Sequence, residues 1–214
     1  SVDTENRHAS DYSYSDSECG HAHSYLLPKV EDILKDLAPA SIFDLGCGNG
    51  SVAAYLEEDG YEITGDDPSE DGIQQARRAY PNLDVHVGSA YDDLADEYGQ
   101  YDVTLSLEVV EHVYSPTKYA KTVFNLTRPG GHAVISTPYH GYLKNLLIAL
   151  KGAWGKDHYS PLWKNGHIKI WTPKTLRKLI RDAGFRQINT HRVGRLPPIA
   201  KSIILSAKKP ESRA

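Results

Sequence analysis

An apolar run that ends in an acid and then breaks at three closely spaced glycines constrains this chain most: Ile42-Phe43-Asp44-Leu45-Gly46-Cys47-Gly48-Asn49-Gly50. A strand that passes through such a turn into a helix makes a ligand-binding corner. The glycines let the backbone approach a ligand, and the helix N-terminus presents free N–H groups to its anionic part. The spacing is GxGxG, whereas dinucleotide folds use GxGxxG, which counts against a nicotinamide oxidoreductase. Asp44, two residues before the first glycine, would repel a pyrophosphate and attract an ammonium group. A ligand carrying an amino-acid group therefore suits the corner better than a dinucleotide.

The flanking pattern agrees with a layered α/β architecture. Apolar positions from Ser24 to Leu37 recur at helical spacing, and short apolar runs at Ser41–Leu45, Tyr61–Thr64, Leu83–Val87, Val103–Leu107 and His132–Ser136 have strand character. Between them Ser51–Glu58, Glu70–Ala79 and Thr117–Leu126 have helical character, and strands joined by helical crossovers imply a parallel sheet covered on both faces. Thr172 caps a helix with Pro173 at its first position and Gly184 at its end, before strands at Arg186–Arg192 and Ser202–Lys208. Residues 1–20 are polar and acidic and are expected to form an arm or lid. Residues 138–171 form an excursion too long for a plain connector, with an apolar piece at Leu143–Leu150 that would pack in the core or touch a membrane surface.

Composition bounds the rest. With 214 residues the expectation is one domain, with the N-terminal arm and helix over 1–40 and the acceptor-side insertion over 138–171. Cys19 and Cys47 have no CxxC spacing, so a zinc ribbon or thioredoxin-like centre is not expected. No run of 18 apolar residues occurs and no basic-then-apolar leader opens the chain, which suggests a cytoplasmic protein. A formal net charge of −4 weighs against nucleic acid as a partner and towards a small-molecule acceptor. Oligomeric state is not legible.

Further motifs sharpen the corner. The second strand runs into Ile63-Thr64-Gly65-Asp66-Asp67-Pro68-Ser69, and a carboxylate there can accept both hydroxyls of a ribose. Gly88-Ser89-Ala90-Tyr91 follows the third strand, and Arg128-Pro129-Gly130-Gly131 makes a tight turn before the fifth. On these motifs the chain resembles the class I S-adenosylmethionine-dependent methyltransferases over about residues 24–208. The resemblance implies a doubly wound, mostly parallel seven-stranded sheet of order 3-2-1-4-5-7-6. It implies S-adenosylmethionine as cofactor, with contacts from Asp44, Gly46, Cys47, Gly48, Asn49, Asp67, Ser89, Ala90 and Leu107. The family pattern G-x-D-P-S puts the ribose on Asp67 and leaves Asp66 to solvent. Ser89 stands where many relatives carry an Asp for the adenine amino group.

The fourth strand ends in Leu107-Glu108-Val109-Val110-Glu111-His112-Val113. Glu108, Glu111 and His112 share one face if this segment is helical, at the strand end where open α/β sheets bind ligands. Acids in the first turn of a helix also complement its dipole, so the cluster has a purely structural explanation as well. With Ser136-Thr137-Pro138 and the insertion, the segment is similar to the ubiquinone-biosynthesis O-methyltransferase group. With the later Gly166-His167-Ile168-Lys169-Ile170-Trp171 it is also similar to the small-RNA 2′-O-methyltransferases. The second resemblance implies a divalent ion on Glu108, Glu111, His112 and His167, which Mg²⁺, Mn²⁺, Fe²⁺ or Zn²⁺ would suit. Without a metal, His112 is the natural general base, with Glu111 beside it, while His140 and His158 are candidates for the substrate pocket. The expected reaction is O-methylation of a small quinol, catechol or sugar-type hydroxyl. The rivals are 2′-O-methylation at an RNA 3′ end and a non-catalytic S-adenosylmethionine-binding regulator.

Overall fold

A computed structural model describes residues 23–139, 169–195 and 200–211. The acidic arm over 1–20, the Leu143–Leu150 segment, His140, His158 and His167 lie outside these residues. The helix α1 (His23–Leu37) leads into β1 (Ser41–Leu45), α2 (Ser51–Glu58), β2 (Glu62–Asp67), α3 (Glu70–Ala79), β3 (Asp84–Val87), α4 (Leu94–Tyr98) and β4 (Tyr101–Leu107). Then come α5 (Pro116–Leu126), β5 (Thr127–Pro138), α6 (Pro173–Asp182), β6 (Arg186–Val193) and β7 (Ser202–Lys208). The seven strands form one sheet in the order β3-β2-β1-β4-β5-β7-β6, as the resemblance implied. β1 to β5 pair in parallel, and β7 is antiparallel to both β5 and β6.

Two apolar layers explain why the sheet is covered on both faces. One joins Leu26, Val30 and Leu34 of α1, Leu56 of α2 and Ile73 of α3 to Ile42, Ile63 and Leu105 of the sheet. The other packs Tyr119 and Val123 of α5 and Leu176 and Ile180 of α6 against Phe43, Ile135 and Leu205. Alternation along each strand sends successive side chains to opposite layers, so β1 places Ile42 in the first and Phe43 in the second. Local chemistry sets the ends of the helices. Ser69 accepts from Gly72 N at 3.1 Å to cap α3, and Thr172 and Thr175 cap α6 reciprocally, with Pro173 in the first turn.

Two elements differ from expectation. The five-residue helix α4 is too short to show an apolar period. The Arg128–Gly131 turn is absorbed into β5, because Gly130 donates to Lys209 O and Lys209 N donates back to Gly131 O. A side chain at Gly131 would put its Cβ 2.7 Å from Asp102 O, so only glycine fits there.

Asp102 clamps this end of the sheet. Its carboxylate accepts from Ala40 N at 2.7 Å and Ser41 N at 3.1 Å and is paired with Arg128. One side chain thereby ties the start of β1 to β4 and the start of β5. Replacing it with alanine is expected to lower unfolding stability by about 1–3 kcal/mol, since hydrogen bonds to charged groups are lost and two N–H groups lose their acceptor. Urea unfolding at unchanged slope measures this loss.

Candidate functional site

The glycine corner forms where β1 and β2 end side by side. Gly46, Gly48 and Gly50 take φ of 85°, 58° and 74°, a left-handed region that other residues enter only with strain. Gly46 N and Cys47 N both donate to Asp66 O at 2.8 Å, which lashes the loop to the end of β2. The Asp67 carboxylate then spans the corner, accepting from Gly48 N at 3.0 Å and from Ser69 N at 2.8 Å. Asn49 Oδ1 accepts from Ser51 N at 3.3 Å, and Cys47 packs against Gly65, which has no room for a Cβ. The residues expected around a cofactor at this corner, Asp44, Gly46, Cys47, Gly48, Asn49 and Asp67, are therefore contiguous in space.

Charge at the corner is one-sided. Asp44, Asp66 and Asp67 are all buried, and none forms an ion pair among the described residues. Burial, with the Asp67 charge adding to it, pushes Asp44 up to about 7. Burial raises Asp67 to about 6 even though its two N–H donors pull the other way. The Cys47 thiol is pushed up by burial and by the same three carboxylates.

Asp66 departs from expectation. The family pattern assigned it to solvent, yet it is 1% exposed, and neither carboxyl oxygen has a hydrogen-bond partner among the described residues. A Cβ on Gly88 would lie 2.6 Å from Asp66 Oδ2, so the glycine after β3 exists to accommodate this acid. Burial, then the charge of Asp67, holds its carboxyl well above the ordinary range. Above it, Ser89 closes its own turn: its N–H donates to Asp92 Oδ2 at 3.0 Å and its Oγ accepts from Tyr91 N at 3.3 Å. Ala90 packs against the second core layer, and Leu107 is buried at the end of β4.

A second loop meets the first. Residues 108–113 are a turn rather than a helix, so the predicted common helical face does not form; His112 N donates to Val109 O at 2.9 Å. Glu108 leaves β4 with φ 58°, and its backbone is held there by Ser136, which accepts from Glu108 N through both its carbonyl and its Oγ. A non-glycine residue in this conformation is strained, and such strain concentrates at functional sites. The Glu108 carboxylate is fixed as well: Ser136 Oγ donates to Oε1 at 2.8 Å and Ser202 Oγ to Oε2 at 3.5 Å, and Tyr25 of α1 reaches Ser202 Oγ at 3.2 Å. Val109 packs on the glycine corner so closely that a Cβ on Gly46 would lie 2.5 Å from Val109 Cγ2.

Glu111 is 1% exposed and accepts from Thr137 Oγ1 at 3.0 Å, while its Oε1 lies 3.9 Å from His112 Nε2. Burial, and then the Glu108 charge, raises the Glu111 carboxyl well above the usual range. The structure thus brings Glu108, Glu111 and His112 to one turn. Sequence reading missed what holds the turn from outside. Lys169 N donates to Glu111 O at 3.1 Å, Lys169 Nζ to Val113 O at 2.8 Å and Tyr114 O at 3.0 Å, and Trp171 Nε1 to Val110 O at 3.0 Å. The expected pairing of this segment with the cluster was a signal, but it was attached to His167. Among the described residues no group of three His, Cys, Asp or Glu is arranged to hold a metal ion.

The family model described as "Methyltransferase domain" matches residues 16–190. The chain belongs to this methyltransferase-domain family. Curated relatives include the ubiquinone biosynthesis O-methyltransferases of Aromatoleum aromaticum, 30% identical over 69% of this chain, and of Roseobacter denitrificans, 34% identical over 69%. The chain spans 64% and 60% of their respective lengths. Among solved structures, magnesium protoporphyrin IX methyltransferase from Synechocystis PCC 6803, with bound SAH, aligns with TM-score 0.64 at 22% identity, covering 86% of this chain and 82% of that one. A Pyrococcus horikoshii OT3 protein aligns with TM-score 0.67 at 22% identity over 87% and 89%. At these identities the structures bear on the fold of the methyltransferase domain alone. No helix among the described residues is long and apolar enough to cross a membrane.

The buried acids predict a pH dependence. Each has a folded value above its unfolded one, so the stability it lends is complete in acid and is lost as pH rises through about 7 for Asp44 and about 6 for Asp67. Asp66 acts in the same direction, with burial and the Asp67 charge outweighing the nearby Gly46 N–H. The Asp66→Asn variant is therefore expected to melt higher than the parent at pH 8, by about 2–4 °C per kcal/mol of relieved repulsion and desolvation. The difference should close towards pH 4. Thermal unfolding across this range checks it.

Proposed function

We propose that this methyltransferase domain transfers the methyl group of S-adenosylmethionine to a hydroxyl oxygen of a small acceptor. The observation that carries the proposal is the corner itself. Asp67 is pinned by Gly48 N–H and Ser69 N–H at the end of β2, beside a glycine loop flanked by the buried Asp44. A carboxylate held by two backbone donors is preorganised to accept the two hydroxyls of a ribose, and Asp44 offers negative charge to an ammonium group. The names of the curated relatives support oxygen as the receiving atom. Gly46, Cys47, Gly48 and Asn49 would line the amino-acid end, with Ser89 and Ala90 at the base and Leu107 beneath the reacting group.

When bound, S-adenosylmethionine supplies an electrophilic methyl group on a sulfonium. The chain must take a proton from the acceptor hydroxyl and hold its oxygen in line with that methyl group. His112 is the side chain suited to the first task, being 30% exposed on the turn that faces the corner through Val109 and Gly46. Glu111, 3.9 Å from its Nε2, would favour the imidazolium that forms when its own carboxyl is ionised. Glu108 is a positioning residue on this reading, because its carboxylate is already engaged by Ser136 and Ser202.

Metal assistance fits the described residues poorly. Glu108 and Glu111 turn their carboxylates to serine and threonine hydroxyls on β5 and β7, and the three side chains do not form a metal-holding group. No step of the proposed reaction runs through a metal.

S-adenosylhomocysteine at 100 times its Kd is expected to stabilise the protein by about 2.7 kcal/mol, and Asp67→Ala should remove most of that gain. His112→Ala should retain the gain but lower turnover of a catechol acceptor by about 10²–10⁴-fold. Excess chelator should leave turnover unchanged. Loss of turnover on chelation, restored by Mn²⁺ or Mg²⁺, would move the role of His112 from base to ligand. No stabilisation of the parent at saturating cofactor would reject the proposal.

A further inference from the structure

The loop after β3 touches the loop after β4, although β2 and β1 lie between those strands in the sheet. At the usual strand spacing the ends of β3 and β4 stand about 14 Å apart. Tyr91 crosses the gap. Its hydroxyl oxygen accepts from Tyr114 N at 2.7 Å and from Ser115 N at 3.2 Å. Its ring packs against the second core layer, and Lys118 Nζ of α5 is 5.9 Å from the ring centroid. The bridge therefore runs along the α5 side of the sheet, past the ends of β2 and β1 where the glycine corner lies.

Both ends of the bridge are anchored. At the β3 end Gly88 N donates to Asp67 O at 3.1 Å, Ser89 N to Asp92 Oδ2 at 3.0 Å and Tyr91 N to Ser89 Oγ at 3.3 Å. The loop that carries Tyr91 is thus tied to the residue that offers the Asp67 carboxylate. At the other end the Tyr114 residue is gripped twice, its N–H by Tyr91 and its carbonyl by Lys169 Nζ at 3.0 Å. His112 stands two residues before it. Ser115 opens α5 without a side-chain cap, and the Tyr91 phenol serves its N–H from outside the helix. These donors lie near the surface, with Tyr114 50% exposed, so water can replace the phenol oxygen as their acceptor. The hydroxyl adds little to overall stability in such a place. What it adds is a fixed separation between the two loops.

We propose that Tyr91 is a positioning residue of the methyl-transfer site, whose hydroxyl ties the loop that takes the cofactor's base to the turn that carries His112. The coupling rests on the methyl-transfer reading, which puts the base at Ser89 and Ala90; the tie itself rests on the two hydrogen bonds alone. A base seated against Ser89 and Ala90 restrains the backbone from which Tyr91 projects. A restrained Tyr91 in turn restrains the N–H groups of Tyr114 and Ser115. An acceptor that arrives afterwards meets a turn already ordered and loses less freedom in binding, which is positive cooperativity without a large structural change. The cofactor-loaded protein then binds the acceptor more tightly than the empty one does.

The test is amide hydrogen exchange at Tyr114 and Ser115, read by NMR with and without saturating S-adenosylhomocysteine, in the parent and in Tyr91→Phe. Phenylalanine keeps the ring and removes only the hydroxyl. In the empty protein the substitution should speed exchange at these two amides by about three- to tenfold, the worth of one net hydrogen bond. S-adenosylhomocysteine should slow both amides in the parent. The variant should bind it with the same affinity and show no such slowing. Turnover of 4-methylcatechol by the variant should fall in kcat by a similar factor, with the KM for S-adenosylmethionine and the urea unfolding curve unchanged. Equal exchange in the two empty proteins would overturn the tie. Slowing that persists in the variant, or no slowing in a parent that binds S-adenosylhomocysteine, would overturn the coupling. A variant that loses affinity for S-adenosylhomocysteine and resistance to urea in step with kcat would reduce Tyr91 to structural support and overturn the proposal as well. If the parent does not bind S-adenosylhomocysteine while the empty proteins still differ in exchange, the tie stands and the methyl-transfer reading falls. Coupled exchange without turnover of 4-methylcatechol would uphold Tyr91 as the link and count against a catechol acceptor.

Discussion

The rest of the site depends on the Asp67 carboxylate bridging Gly48 N–H and Ser69 N–H. Those two donors belong to loops after different strands, so this one side chain fixes the separation of the glycine corner from the start of α3. The bridge is possible because β1 and β2 are neighbours in parallel and end level with each other, Leu45 opposite Asp66. It is costly because the acid sits among two others away from water. Burial without a compensating charge is unfavourable unless a ligand later provides that charge. A structure that keeps three such carboxylates together is less stable empty than it would be with neutral side chains.

The second loop inherits its position from the first. Val109 lies against Gly46, and Glu108 can leave β4 in a strained conformation because Ser136 holds its N–H and its carboxylate together. From the other side Lys169 and Trp171 bind four carbonyls of the turn directly. The glycine corner and the Glu108–His112 turn therefore behave as one packed unit. Displacing either is expected to displace the other.

Much of this was legible before any coordinates. The order of the sheet followed from the resemblance, and the ends of α3 and α6 followed from Ser69, Thr172 and Pro173, because capping is local chemistry. Asp44 and Asp67 were recognisable because the glycines beside them specify the turn. Asp66 was misread because its burial depends on Gly88, twenty-two positions away, and no local pattern records that contact. The Glu108–His112 segment was misread for a related reason. Its i, i+3, i+4 spacing is helical, but Ser136 and Val109 draw the backbone into a turn by contacts made across the sheet. Ser202 and Tyr25 could not be joined to Glu108 from the sequence, since they lie 94 and 177 positions from their partners in this hydrogen-bonded chain.

If the buried acids await a cationic ligand, its binding must release protons. Around pH 6.5 the empty protein holds a proton on Asp44, raised to about 7, and burial draws Asp66 beside it in the same direction. An ammonium-bearing ligand at this corner would favour the ionised carboxylates and expel those protons. Calorimetric titration with S-adenosylhomocysteine in buffers of different ionisation enthalpy counts the protons exchanged. Net release is expected at pH 6–7 and fades as pH rises towards 8.5. Proton uptake, or no exchange at any pH with binding intact, would contradict it.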